Sequence, residues 1–450
     1  MKKGKNIFLG YYKIIFFIIF LISILVLMIF YVKNHIITEG KFNKNIVFGQ
    51  SCALTKNNSD KGERYSLGYI LAFQKQNMEG GINNRNIELI VYDDEYNPKI
   101  AVDNVKILIG YFDVFAIIGS VGTPTAAAIQ EYIIDKKVPF IQPISGSSLL
   151  RKFNENILFS TTSYYNEINI ILDYLKKNKK NNLGIIYQND ELGLSTLSNL
   201  YSLLTLNKYN NFNIISHSSY EHSSIIIDNA ISNLLNIKNI YNKNEIQNSK
   251  ILKNIEVVIL FSVSEQATMA INYLKFVKPD IYICIISSST FSDIEKIFLK
   301  NTNINTNNIY LSHPLPDFSK KNPKLLKEIK EEMDIYKKYA KIHNDIYNEK
   351  KISPIIIEGY LNGLFIINIL KNIKNYTRKD FIDEIYKKHV FNIEGLTYGP
   401  YYTEDDCKDI NNLLNCPCNS GLRSVYLYQY SNKNKTFNQI YEINNLNCNI

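Results

Sequence analysis

Residues 114–151 read VFAIIGSVGTPTAAAIQEYIIDKKVPFIQPISGSSLLR, and their rhythm decides the fold class. Two short apolar runs, VFAIIG from Val114 and VPFIQP from Val138, each end in a loop of glycine and hydroxyl residues. The first loop leads into helix-forming AAAIQEYI. Strands buried on both faces read as unbroken apolar runs rather than alternating ones, and a strand–helix–strand succession builds a parallel sheet. Working outward, the same unit recurs. NIVFGQS from Asn45 and IELIVYDD from Ile87 precede it; LGIIYQND from Leu183, VVILFSV from Val257, IYICIISS from Ile281 and IYLSH from Ile309 follow. Helical patterns at Thr125–Asp135, Tyr165–Lys177 and Glu265–Val277 lie between them. Eight strands are too many for one compact open sheet here, so the expectation is α/β with two doubly wound parallel-sheet lobes. Pro323 to His343 carries Leu325, Ile329, Met333 and Tyr336 on one stripe and predicts an amphipathic cover helix. Asn236 to Asn254 is polar and repetitive and reads as a surface insertion.

The 450 residues carry a net charge of +9, with 46% hydrophobic and 21% charged residues, which excludes wholesale disorder. Abundant Asn, Lys and Ile with no Trp reflect an AT-rich genome, not chemistry. The cations are dispersed over Asn-rich loops rather than gathered with aromatics, so no nucleic-acid partner is expected.

Residues 14–32, IIFFIIFLISILVLMIFYV, contain only Ser23 as a polar residue and are long enough to cross a bilayer. Lys2, Lys3, Lys5 and Lys13 precede them, which predicts a cytoplasmic tail over 1–13 and export of everything beyond. No small-x-small cleavage site follows the run, so an uncleaved signal anchor is preferred over a cleaved signal peptide. Six cysteines, Cys52, Cys284, Cys407, Cys416, Cys418 and Cys448, permit disulfides in an exported chain. A bridge from Cys407 to Cys416 or Cys418 is one reading. Zinc is the weaker one, because Cys416-Pro417-Cys418 lacks the two-residue spacer.

In doubly wound sheets, ligands sit beyond the carboxyl ends of the strands, where loops lead into helix N-termini. Gly122, Thr123 and Thr125 in one loop, and Ser145, Gly146 and Ser147 in the other, combine small residues with hydroxyls and could cradle a carboxylate. They could equally cap their own helices. Catalytic signatures are scarce: no P-loop, HExxH or dinucleotide fingerprint is present, and Gly49-Gln50-Ser51-Cys52-Ala53 lacks the second glycine of a nucleophile elbow. Asp93-Asp94-Glu95 reads as a turn cap sooner than a cation site, and His217 and His222 as solvated. No enzyme activity, cofactor or metal is expected.

The stretches GQSCALTKNNSDKGERYSLGYILAFQKQN, GGINNRNIELIVYDDEYNP, IIGSVGTPTAAA, VPFIQPISGSSLLR, IIYQNDELG, IIIEGYLNGLFIINILKNI and IEGLTYGPY, in this order, resemble the type I periplasmic-binding-protein family. The branch is that of branched-chain amino-acid-binding proteins and receptor ligand-binding regions. The resemblance covers nearly everything beyond residue 45. It implies a clamshell of two lobes joined by three crossovers, with lobe I at about 45–165 and 290–390, and lobe II at about 166–289 and 391–445. By position, the two hydroxyl loops would hold a ligand's carboxylate and part of its ammonium group, and the segment 58–62 would border the cleft. Lobe II would contribute Leu192, Val263 and Ser288. Family members that bind amino acids usually have aromatics at the first two of these positions and an acid near the third. Here Glu265, Asp293, Glu295, Asp190 and Glu191 are the nearby acids.

These readings imply a membrane-anchored, extracytoplasmic solute-binding protein, closing on an amino acid or related carboxylate by population shift. Its partner would be a transporter or receptor subunit. The alternative is a surface interaction protein that keeps the fold without a small ligand.

Overall fold

The computed structural model describes residues 45–224, 226–288, 291–300, 305–340, 352–408 and 418–444. The expected tail and membrane span lie outside them. The first lobe runs β1 (Ile46–Cys52), α1 (Ser59–Met78), β2 (Ile87–Asp93), α2 (Pro98–Gly110), β3 (Ile117–Ile118), α3 (Thr123–Ile133), β4 (Phe140–Ile141) and β5 (Ile157–Leu158). Its strands are all parallel, in the order β2-β1-β3-β4-β5. The order reverses between β1 and β3, which opens a crevice at the carboxyl ends of those strands. Local chemistry starts the helices. Asn97 accepts hydrogen bonds from Lys99 N and Ile100 N, with Pro98 in the first turn of α2.

The second lobe follows with α4 (Tyr164–Lys177), β6 (Asn182–Asn189), α5 (Glu191–Leu204), β7 (Asn213–Glu221), α6 (Asp228–Leu235), α7 (Lys243–Asn248), α8 (Lys250–Asn254), β8 (Val257–Phe261), α9 (Ser264–Val277), β9 (Tyr282–Ile285), α10 (Phe291–Lys300) and β10 (Ile309–His313). The chain then returns to lobe I with α11 (Pro323–Ala340), α12 (Pro354–Asn372), α13 (Arg378–Lys388), β11 (Phe391–Ile393) and β12 (Leu396–Tyr398). It ends in lobe II with the hairpin β13 (Ser424–Ser431) and β14 (Thr436–Asn444). The second sheet has the order β14-β13-β10-β9-β8-β6-β7.

Four features differ from the sequence reading. The second sheet is mixed, because β13 pairs antiparallel with β10 and with β14. β10 belongs to this sheet, although 290–390 was assigned to lobe I; α10 goes with it, Ile294 and Phe298 packing in the second core. Conversely Phe391, Leu396 and Tyr398 pack in the lobe I core, although 391–445 was assigned to lobe II. Nothing in a short apolar run says which sheet it joins. The segment 236–254 carries two short helices capped by Asn242 and Ser249, and it anchors Ile240 and Leu252 in the second core.

Lobe I is closed by α12 packed on α1. Their backbones approach so closely that a Cβ at Gly68 would lie 2.4 Å from Ile356 O. α12 is apolar enough to span a membrane, but 78% of that stretch is buried, as in a core helix. Three segments cross between the lobes: after β5, after β10 and before β13. The first and third are tied together, Phe159 N donating to Asn419 O (2.8 Å) and Leu422 N to Ser160 O (2.7 Å).

Candidate functional site: the cleft between the lobes

The two hydroxyl loops lie side by side, joined by a parallel bridge between Val121 and Ile144. Thr123 Oγ1 stands 2.9 Å from Ser145 Oγ and 3.4 Å from the Tyr164 hydroxyl, and Ser147 N donates to Ser145 Oγ (3.2 Å). Ser147 Oγ crosses to lobe II and donates to Ser195 Oγ on α5 (2.8 Å). Thr125 faces away from this group: its Oγ1 donates to Val121 O (2.9 Å), an ordinary first-turn bond. Gly122 and Gly146 have a steric reason. A Cβ at Gly122, whose φ is +110°, would lie 2.3 Å from the Tyr96 ring, and one at Gly146 would lie 2.4 Å from the Tyr164 ring. The glycines let two aromatic rings rest on the loops.

On lobe II, Leu192 and Val263 are buried in one apolar cluster with Tyr96 and Tyr164. Positions 192 and 263 are thus aliphatic, and the tyrosines of their cluster come from other segments of the chain. Ser288 Oγ donates to Ser262 O (2.6 Å). The fold thus brings Gly122, Thr123, Ser145, Gly146, Ser147, Leu192 and Val263 to the lobe junction, with Ser288 at the end of β9, and leaves Thr125 behind them.

The segment 58–62, expected to border the cleft, does so with charged residues, and Glu167 and Arg151 join it without having been singled out in the sequence. The first turn of α1 docks on lobe II: Asp60 accepts from Ser292 Oγ (3.0 Å) and Lys296 Nζ (3.0 Å), and Lys61 Nζ donates to Ser287 O (2.7 Å). Burial raises the Asp60 carboxyl, but Arg64 and Lys296 outweigh it and bring it down to about 2. Burial pulls the Lys61 ammonium below its ordinary value against the opposing charges of Glu358, Glu167 and Asp293. Glu167, on α4, accepts from Ser287 N (2.8 Å), Ser287 Oγ (2.6 Å) and Ser312 Oγ (2.6 Å). Arg151 braces the second loop, donating to Ser145 O (2.9 Å), Thr162 O (3.0 Å) and Ser420 Oγ.

His222, read from sequence as solvated, is part of this junction. Its Nδ1 lies 2.7 Å from Asp190 Oδ2 and its Nε2 lies 3.2 Å from Tyr96 O of lobe I, while its ring stacks 4.8 Å from that of Tyr96. Burial lowers the imidazole, but the hydrogen bond and charge of Asp190 prevail and hold it above the usual histidine value. His217 is exposed on β7. The sequence signal available for these residues was only their place at strand ends, which Tyr96 and His222 share with many residues of no consequence.

Nothing at the junction forms a nucleophile–base pair from the elbow-like segment. Ser51 Oγ donates to Asp94 Oδ2 (3.0 Å), and burial pushes the Cys52 thiol far up, away from reactivity. Asp93 and Asp94 accept backbone N–H groups of the following turn, from Glu95 and Tyr96. Among the described residues no group of three His, Cys, Asp or Glu is placed to hold a metal. Cys418 is disulfide-bonded and Cys52 and Cys284 are buried free thiols; the other three cysteine side chains lie outside the described residues. A cavity of about 540 Å³ opens elsewhere, on lobe I beside the start of β1.

A family model for periplasmic binding proteins matches residues 46–208. A second, for the periplasmic-binding-protein-like domain of adenylate cyclases, matches residues 288–428. The first match, to the periplasmic-binding-protein family, covers about a third of the chain. No curated protein matches by sequence. Solved structures of this family align over most of the chain. A possible leucine/isoleucine/valine-binding protein from Rhodopirellula baltica SH 1 aligns with TM-score 0.70 and 19% identity, over 88% of this chain and 96% of its own. A fatty acid ABC transporter substrate-binding protein from Thermomonospora curvata aligns with TM-score 0.68 and 16% identity, over 90% and 93%. An ABC transporter solute-binding protein from R. palustris in complex with benzoate aligns with TM-score 0.67 and 13% identity, over 89% and 96%. At these identities the likeness to periplasmic binding proteins is one of fold.

Proposed function

We propose that this chain is a membrane-anchored, extracytoplasmic solute-binding protein whose lobes close on a small carboxylate, for delivery to a transporter or a receptor subunit. The observation that carries the reading is the convergence of Thr123, Ser145 and Ser147 at the opening turn of α3, within reach of Ser195 on the other lobe. Small hydroxyls at a helix start suit an anion, and contacts made by both lobes exist only when the cleft is shut. The compounds named for the structural relatives support the same class. They are branched-chain amino acids, a fatty acid and benzoate, and a carboxylate is what those compounds share. The apolar run at 14–32 supports the anchor and its orientation.

The test is ligand binding by the full-length protein in detergent, read as a thermal shift against amino acids and other small carboxylates. A ligand at a hundredfold over its dissociation constant adds about 2.7 kcal/mol to stability. Thr123→Ala combined with Ser147→Ala removes the shift if the reading is right. A cooperative melt that no compound moves favours the second reading, a surface interaction protein without a small ligand. That alternative draws on one observation: protein groups already bridge the cleft, as Lys61 does to Ser287 O.

A further inference from the structure

Lys61 is 4% exposed, and an ammonium has three hydrogens to donate. Among the described residues its Nζ donates a single hydrogen bond, to Ser287 O, and no carboxylate comes within the 4.0 Å of an ion pair. Glu358, Glu167 and Asp293 favour its charge from beyond ion-pair distance, but burial outweighs them. Glu167 has both oxygens occupied by Ser287 and Ser312. Glu358 lies among Tyr65, Tyr69 and Tyr398 in the lobe I core, where burial pushes its carboxyl up to about 7. The Arg151 guanidinium beside the hydroxyl loops donates to carbonyls and to the Ser420 hydroxyl. A buried cation without a counter-ion is strained in free energy by several kcal/mol, and an anion brought beside it removes that strain.

At position 288 the ammonium of an amino acid finds no carboxylate. Ser288 is a hydroxyl directed at Ser262 O. A ligand ammonium near Lys61 would place a second cation in a low-dielectric site. One cleft acid retains an unpartnered buried oxygen, Glu265 Oε2, at the start of α9.

Resting on the small-ligand reading, we propose that the cleft selects a carboxylate that carries no ammonium group, and that Lys61 is the residue that recognises its charge. Lys61 lies in the first turn of α1 and reaches the opposite lobe, so the anion it holds is also the group that both lobes close upon.

The experiment is titration calorimetry of the full-length protein in detergent with paired probes: leucine against 4-methylpentanoate, phenylalanine against 3-phenylpropanoate, and glutamate against glutarate. In each pair that binds, the des-amino compound binds about tenfold or more tightly, which is about 1.4 kcal/mol. Lys61→Met abolishes that preference, and Lys61→Arg, which keeps the charge, retains it. The wild-type comparison needs no variant, so a misfolded Lys61→Met leaves it decisive. Amino acids that bind as tightly as their partners, and lose affinity in Glu265→Gln, overturn the inference while the small-ligand reading stands. No binding of any probe by cooperatively folded protein overturns both.

Discussion

The two faces of the cleft are built from opposite chemistry. Lobe I presents donors on a tight scaffold: Thr123, Ser145 and Ser147 on glycine-relieved loops braced by Arg151, and Lys61 at the start of α1. Lobe II presents acceptors: the Ser287 carbonyl, Asp190 and Glu167, with Leu192 and Val263 as apolar fill. Some pairs reverse the pattern: Asp60 of lobe I accepts from Ser292 and Lys296 of lobe II, and Tyr96 O lies against His222 Nε2. The contrast teaches that lobe closure and ligand recognition use the same groups. Whatever enters the cleft competes with, or completes, hydrogen bonds the two lobes already make.

This contrast can be broken from either side. The largest effect belongs to the scaffold of lobe I: Gly146→Val drives a Cβ to 2.4 Å from the Tyr164 ring and 2.7 Å from its backbone nitrogen. Urea unfolding should show a loss of about 1–3 kcal/mol or more; an unchanged midpoint would mean that the loops are soft rather than tight. Ser147→Ala deletes one lobe-to-lobe hydrogen bond, worth about 1 kcal/mol in the same assay, and leaves the Ser195 hydroxyl without that partner.

A smaller effect is visible only against pH. His222 is held above its unfolded value of 6.5, so its stabilisation is complete below that pH and is lost as pH rises through the folded value. The difference in melting temperature between wild type and His222→Gln should therefore be greatest below pH 6.5 and shrink above it. A difference that stays constant with pH would show that the ring packs but does not donate to Tyr96 O as a cation. Lys296→Ala comes last. The lysine side chain is half exposed, and its loss should cost under about 1 kcal/mol and less in high salt.

How much of this was legible follows from where the information resides. The hydroxyl loops of lobe I were readable because strand, loop and helix are contiguous, and a run such as IIGSVGTPTAAA carries its own geometry. Tyr96, Tyr164 and His222 were not, because each acquires its role from a segment far away in sequence, as Tyr96 does from His222; for Lys61 the segment 58–62 was placed at the cleft, but not its partner Ser287. The positions 192 and 263 looked deficient as a linear pattern, and the cluster they belong to takes its tyrosines from other segments. The assignment of β10 failed for a related reason. Its apolar run is as suitable for one sheet as for the other, and only pairing with β9 and β13 decides.

The return of the chain to lobe I has a consequence for biogenesis. The sheet of β1 to β5 is complete at Leu158, but α12, which covers α1 and closes that core, begins at Pro354. At roughly 5–20 residues per second of synthesis, the N-terminal half waits on the order of ten seconds or more with its apolar face bare. During that wait the nascent protein is a client for chaperones, and its most aggregation-prone moment comes before the ligand-binding cleft exists at all.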